Sequence, residues 1–128
     1  EYIIPPSVKN NTHILPEFTA LTDRIHEFYE EMLKAGVEAE DARYILPNAS
    51  ETKILISMNG RELLHFFTVR CCNRAQWEIR ELATGMLKII KQVCPIVFEK
   101  AGPNCLRGPC PEGKFTCECP PKASDFDA

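Results

Sequence analysis

No run of this chain is apolar for long enough to cross a bilayer, and no signal-peptide pattern opens it. A basic excess is missing too. Fifteen Lys and Arg stand against 18 Asp and Glu, a net charge of -3, so there is no electrostatic footprint for nucleic acid or an anionic membrane. A cytoplasmic setting is the default expectation. Internal repeats are absent, and Cys71 and Cys72, being adjacent, lack both the Cys-x-x-Cys spacing of a redox pair and the geometry for a sound disulfide with each other. There is no initiator methionine: the chain begins at Glu1, and processing, trimming or excision from something longer is expected.

What is present fits one modest domain. A chain of 128 residues with 45% hydrophobic and 26% charged residues can bury a real but limited core. Seven cysteines are many for a reducing compartment, and an odd count cannot pair completely within the chain. Free thiols or metal ligands are the expectation.

The first sixteen residues carry three prolines and no sustained period, which predicts an extended or loop segment. From Glu17, the apolar residues Phe18, Leu21, Ile25, Phe28, Met32 and Leu33 recur at steps of three and four, predicting an amphipathic helix that stops before Gly36. A short helix over Glu38–Leu46 must end near Pro47. Thr52–Met58, "TKILISM", alternates well enough to predict a strand. Asn59, with Glu62 three residues on, predicts a capped helix running to about Val69. After a break at "CCN", the cleanest helical stripe spans about Arg74 to Cys94 and stops at Pro95. Gly85 within it costs on the order of 1 kcal/mol relative to alanine, which close approach of another backbone would offset. From Ala101 the chain turns rich in Pro, Gly and Cys and is expected to bury little apolar surface, so that a metal, a disulfide or a partner would be needed to order it. One strand cannot make a sheet. The expected fold class is therefore α+β, helices packed around a small sheet that is incomplete within this fragment.

Several residues could carry chemistry. Arg43, Arg61 and Arg70 lie at helix ends or turns, where guanidinium groups hold phosphates or planar acceptors; the plainer reading pairs them with surface glutamates. Asn59 serves as a cap, and His65 as a packing residue one turn from Arg61. Gln76 and Glu78 fall in the first turn of the last long helix, where a glutamate suits the helix dipole. Trp77 suits either stacking or core packing. Cys105, Cys110, Cys117 and Cys119 offer four thiolates to a tetrahedral zinc, at spacings of five, seven and two. Unligated thiols in a mobile tail are the alternative.

Three segments then take on a joint meaning. "ARYILP", "SMNGRELLHFFTVR" and "AQWEIRELATGM" occur in order and at compatible spacings. Together they resemble the second half of the flavin-dependent thymidylate synthases, and "GPNCLRGPCPEGKFTC" is similar to the cysteine-bearing ends of some members. The resemblance reaches from the opening residues to about Cys117. The family's signature, Arg-His-Arg-x-x-Ser-x-Asn-Glu-x-Ser-x-Arg, is absent and would lie just before residue 1. The resemblance thus implies the C-terminal portion of such an enzyme over residues 1–100, followed by a Cys/Pro/Gly-rich tail at 101–128, inactive alone.

The implied reaction methylates dUMP to dTMP with methylenetetrahydrofolate, using FAD reduced by NADPH, in a homotetramer whose active sites draw on several subunits. Arg43 would bind dUMP, and Arg70 would bind it and act as the catalytic cation on the uracil ring. Asn59, Arg61 and His65 would lie against FAD, with Gln76 and Glu78 as supporting residues. The competing expectation is a helical oligomerisation or interaction module whose Cys-rich tail serves as a zinc clip.

Overall fold

The computed structural model describes residues 1–127 and divides the chain into two units, residues 1–55 and 56–128. In the first unit, α1 (Pro6–Lys9) begins with proline at the position where its missing N–H costs nothing. This single turn lies inside the segment expected to be irregular. Helix α2 (Ile14–Lys34) starts three residues ahead of the expected Glu17, because Asn11 Oδ1 accepts the N–H groups of His13 and Ile14. Gly36, at φ +86°, ends it. A short α3 (Ala39–Ala42) tightens into a 3-10 turn at Arg43–Ile45, and Leu46 is already extended ahead of Pro47.

The expected sheet is not there. Among the described residues the β-structure is one isolated antiparallel bridge, Tyr2 to Ser50, flanked by Ile3 N–H to Ala49 O at 2.8 Å and Glu51 N–H to Glu1 O at 3.0 Å. Residues 52–58 form no ladder, so the α+β expectation gives way to a mainly helical fold. The physical reason is pairing. Alternation makes a segment competent for a sheet, but a ladder needs a second strand to take its N–H and C=O groups. Ile54, Leu55 and Ile56 are exposed accordingly.

The second unit is built on two helices. In α4 (Gly60–Arg70), Asn59 is extended and its Oδ1 accepts Glu62 N–H at 3.0 Å, the expected cap. In α5 (Trp77–Val93), the start falls three residues later than Arg74 because Gln76 Oε1 accepts the N–H groups of Glu78 and Ile79. Pro95 ends α5 and opens another turn, α6 (Pro95–Phe98).

The core lies where α4, α5 and α6 meet: Phe67, Ala83, Leu87 and Phe98 are buried, with the Phe67 and Phe98 rings edge-on at 6.0 Å. The tail joins this core instead of trailing away. Ala101, Pro103 and Phe126 are buried. Gly102 turns the chain at φ +136°, in space where a Cβ would stand 2.8 Å from Leu106 Cδ1. Gly85 does the opposite of what was expected, because nothing lies within 4 Å of the place its Cβ would take. Gly85→Ala should therefore raise the free energy of unfolding by about 1 kcal/mol. A urea titration showing a lower midpoint for the variant would contradict this.

Candidate functional site

The arginines separate into two groups. Arg24 pairs with Glu27 and Glu31, Arg74 with Glu112, and Arg80 Nη1 donates to Asn73 O at 2.8 Å. Arg107 donates from Nη1 to Lys100 O and Gly102 O, and from Nη2 to Thr68 Oγ1 and Asn104 Oδ1. The remaining three are Arg43, Arg61 and Arg70. Among the described residues none of their side chains makes an ion pair or a hydrogen bond, and all three are exposed. They are the three singled out by sequence, and the plainer expectation of glutamate pairing does not describe their placement.

Each stands in a distinct local setting. Arg43 opens the 3-10 turn after α3 in the first unit. In the second unit, Arg61 occupies the first turn of α4 and Arg70 its last residue. His65 follows Arg61 by one turn and is also exposed, so both project from one face of α4. Asn59 uses Oδ1 for its cap, which leaves the amide donor. Gln76 likewise has Oε1 committed to α5. Glu78 is exposed in the first turn of α5, where the helix dipole favours a carboxylate. Trp77 is half-buried beside it.

Arg70 borders a cavity of about 250 Å³ whose walls also include Cys72, Arg74, Cys105, Cys110 and Glu112. Sequence reasoning missed this cavity's thiol wall, which forms because polar bonds hold the tail against the α4–α5 connection. Arg74 Nη1 donates to Phe115 O at 3.1 Å and its guanidinium lies 5.1 Å from the Phe115 ring centre. Asn73 Nδ2 donates to Cys119 O and stands 4.0 Å from Cys117 Sγ. Arg107 ties the turn around Asn104 to Thr68 on α4. No local pattern signals such long-range bonds.

The two neighbouring cysteines have different fates. Cys71 closes α4 facing the core, and burial pushes its thiol up to about 11, opposed by a hydrogen bond to Thr84. It is a packing residue, inert below that range. Cys72 faces the cavity. Cys105 is pushed up by burial first and then by the charges of Cys72, Cys110 and Cys117 around it. All seven cysteines are free. Among the described residues no three His, Cys, Asp or Glu are placed as a ready-made metal cage, including the tail set of Cys105, Cys110, Cys117 and Cys119. No described helix is long and apolar enough to cross a membrane.

Comparison with known proteins bears on the same residues. A family model described as "Thymidylate synthase complementing protein" matches residues 1–96. A flavin-dependent thymidylate synthase of Geobacter sulfurreducens is 51% identical over 115 residues, covering 90% of this chain and 50% of the relative. Those of Thermococcus onnurineus and Clostridium tetani are 48% and 40% identical, covering 89% and 91% of this chain and 49% and 53% of the relatives. The chain spans about half the length of the curated relatives it matches.

Proposed function

Because the chain belongs to the thymidylate synthase complementing protein family, we propose that it supplies the C-terminal part of a flavin-dependent thymidylate synthase, which methylates dUMP to dTMP. The observation that carries this reading is the set of three exposed arginines without partners, Arg43, Arg61 and Arg70. An unpaired guanidinium is a ready donor to phosphate or to a planar acceptor such as a pyrimidine ring.

Arg70 holds the uracil ring. As negative charge grows on the ring, the fixed cation stabilises it, and C5 becomes nucleophilic without help from a cysteine. Arg43 binds dUMP, with the phosphate as its contact. The residues fit FAD by the chemistry of their donors: Arg61 and His65 present two adjacent donors on one face of α4, and the Asn59 amide is left free at its start. They would hold the anionic flavin nucleotide. Bound there and reduced by NADPH, FAD would supply hydride chemistry to complete the methyl group derived from methylenetetrahydrofolate. Gln76 and Glu78 act through the fold, fixing the start of α5 close after Arg70.

Assembly belongs to the same reading. Ile54, Leu55, Ile89, Val93 and Ile96 are all more than half exposed, and a homotetramer with active sites drawn from several subunits would cover such surface. Residues 1–128 by themselves are expected to bind but not to turn over.

The test is a titration of this chain with FAD, followed by flavin fluorescence, and with dUMP, followed by calorimetry. Saturable binding of FAD weakened by Arg61→Ala is expected, together with dUMP binding that Arg61→Ala leaves intact. A chain that bound neither ligand would overturn the reading of Arg43, Arg61 and Asn59 as preassembled ligand contacts, and the family assignment would stand. Measurable dTMP formation by the chain alone would overturn the expectation of inactivity.

A further inference from the structure

Three of the seven thiols line one cavity and a fourth lies near it. Cys72, Cys105 and Cys110 line the cavity beside Arg70, while Cys117 approaches Asn73, the residue next to Cys72. Cys105 feels the charge of the other three, with Cys72 foremost. The grouping has a structural cause, since Arg107 and Arg74 clamp the turns on either side of Cys105 and Cys110 against α4 and the α4–α5 connection. Cys71 points into the core, and Cys119 is exposed with its carbonyl taken by Asn73. Cys94 belongs to the end of α5. Chain position alone groups Cys119 with the other tail thiols; the fold replaces it with Cys72.

We propose that Cys72, Cys105, Cys110 and Cys117 are the ligands of one zinc ion that fastens the tail to the α4–α5 connection. Four thiolates around one centre are the donor set of a closed structural zinc site, and Cys105 and Cys110, with four residues between them, have the spacing of a ligand pair. The wall also carries Arg70, Arg74 and Glu112. The unpaired guanidinium of Arg70 favours ionised thiols and offsets part of the net negative charge of a zinc–tetrathiolate, while Arg74 and Glu112 are paired with each other.

The thiols are not drawn together as they stand. Binding would bring each sulfur to about 2.3 Å from the metal and release its proton; Gly108 and Pro109, next to Cys110, are exposed. None of its ligands is a residue of the nucleotide or flavin reading, and Arg70 borders both sites.

The experiment is elemental analysis of the full chain, produced with zinc and purified under reducing conditions, alongside Co²⁺ added to the metal-free chain. About one zinc per chain is expected, with the cobalt–thiolate charge-transfer and tetrahedral ligand-field bands that four sulfurs give. Cys72→Ser and Cys110→Ser should lose the metal, and Cys119→Ser should keep it. The cobalt spectrum of the unaltered chain guards against variants that fail to fold. Absence of bound zinc together with absence of cobalt–thiolate bands overturns the proposal. So does metal lost from Cys119→Ser but retained by Cys72→Ser, which would assign the site to the tail alone.

Discussion

Arg70→Ala is expected to weaken dUMP binding by about 10- to 100-fold, and to leave the stability of the chain unchanged. The magnitude follows from the charge-assisted hydrogen bonds a guanidinium makes, about 1.5–3 kcal/mol, where each 1.4 kcal/mol is a factor of ten. The absence of a stability effect follows from its placement: Arg70 is exposed at the end of α4 and its side chain bonds to no described residue. Arg70→Lys should recover only part of the affinity, because an ammonium keeps the charge but loses the planar fork that matches a ring carbonyl and its neighbour. Arg24→Ala is the control, since that arginine is already occupied by Glu27 and Glu31. Calorimetric titration of the three variants decides the matter. Equal affinity for Arg70→Ala and the unaltered chain would remove Arg70 from the site.

Phe67→Ala should unfold the second unit under conditions where the unaltered chain is folded. Phe67 is fully buried, packs edge-on against Phe98 and Phe66, and belongs to the same cluster as Leu87 and Phe126. Truncating such a ring costs about 3–5 kcal/mol, against a total stability of about 5–15 kcal/mol for a native domain. Phe115→Ala provides the contrast. That ring is 55% exposed and serves as a face for Arg74 and Lys114, so its loss should cost no more than about 1 kcal/mol. Urea titrations followed by far-UV circular dichroism compare them directly. A midpoint for Phe67→Ala close to that of Phe115→Ala would mean that the cluster is not what holds the unit together.

Local chemistry was legible in the sequence. The start of α4 could be read from Asn59 because one side chain and an amide three residues later make the cap. The stop at Pro47 and the turn at Gly36 are equally local. Gln76 was misjudged by three residues because glutamine is not among the favoured caps, and only its bonds to Glu78 and Ile79 reveal the role. Everything that depended on distant partners was harder. "TKILISM" has the composition of a strand, but the described chain holds no neighbour for it. The tail's prolines and glycines concealed that Phe126 would reach the core around Phe67. Adjacent letters at Cys71 and Cys72 gave no hint that one thiol faces inward and the other a cavity. The arginines were a middle case: the motifs singled them out as candidates, and their side chains' lack of partners is visible only in the fold.

The bare segment around Ile54, Leu55 and Ile56 has a consequence for anyone handling this chain. Leu55 is fully exposed and its neighbours are more than half exposed, in a β-branched run without a proline and with a lone lysine. Such a window is a template for edge-to-edge stacking between copies. Aggregation would then grow with concentration and with time on the bench, independently of any ligand. In a mixture of soluble chain and fibrous clumps, the loss of material would be set by seven residues outside every helix.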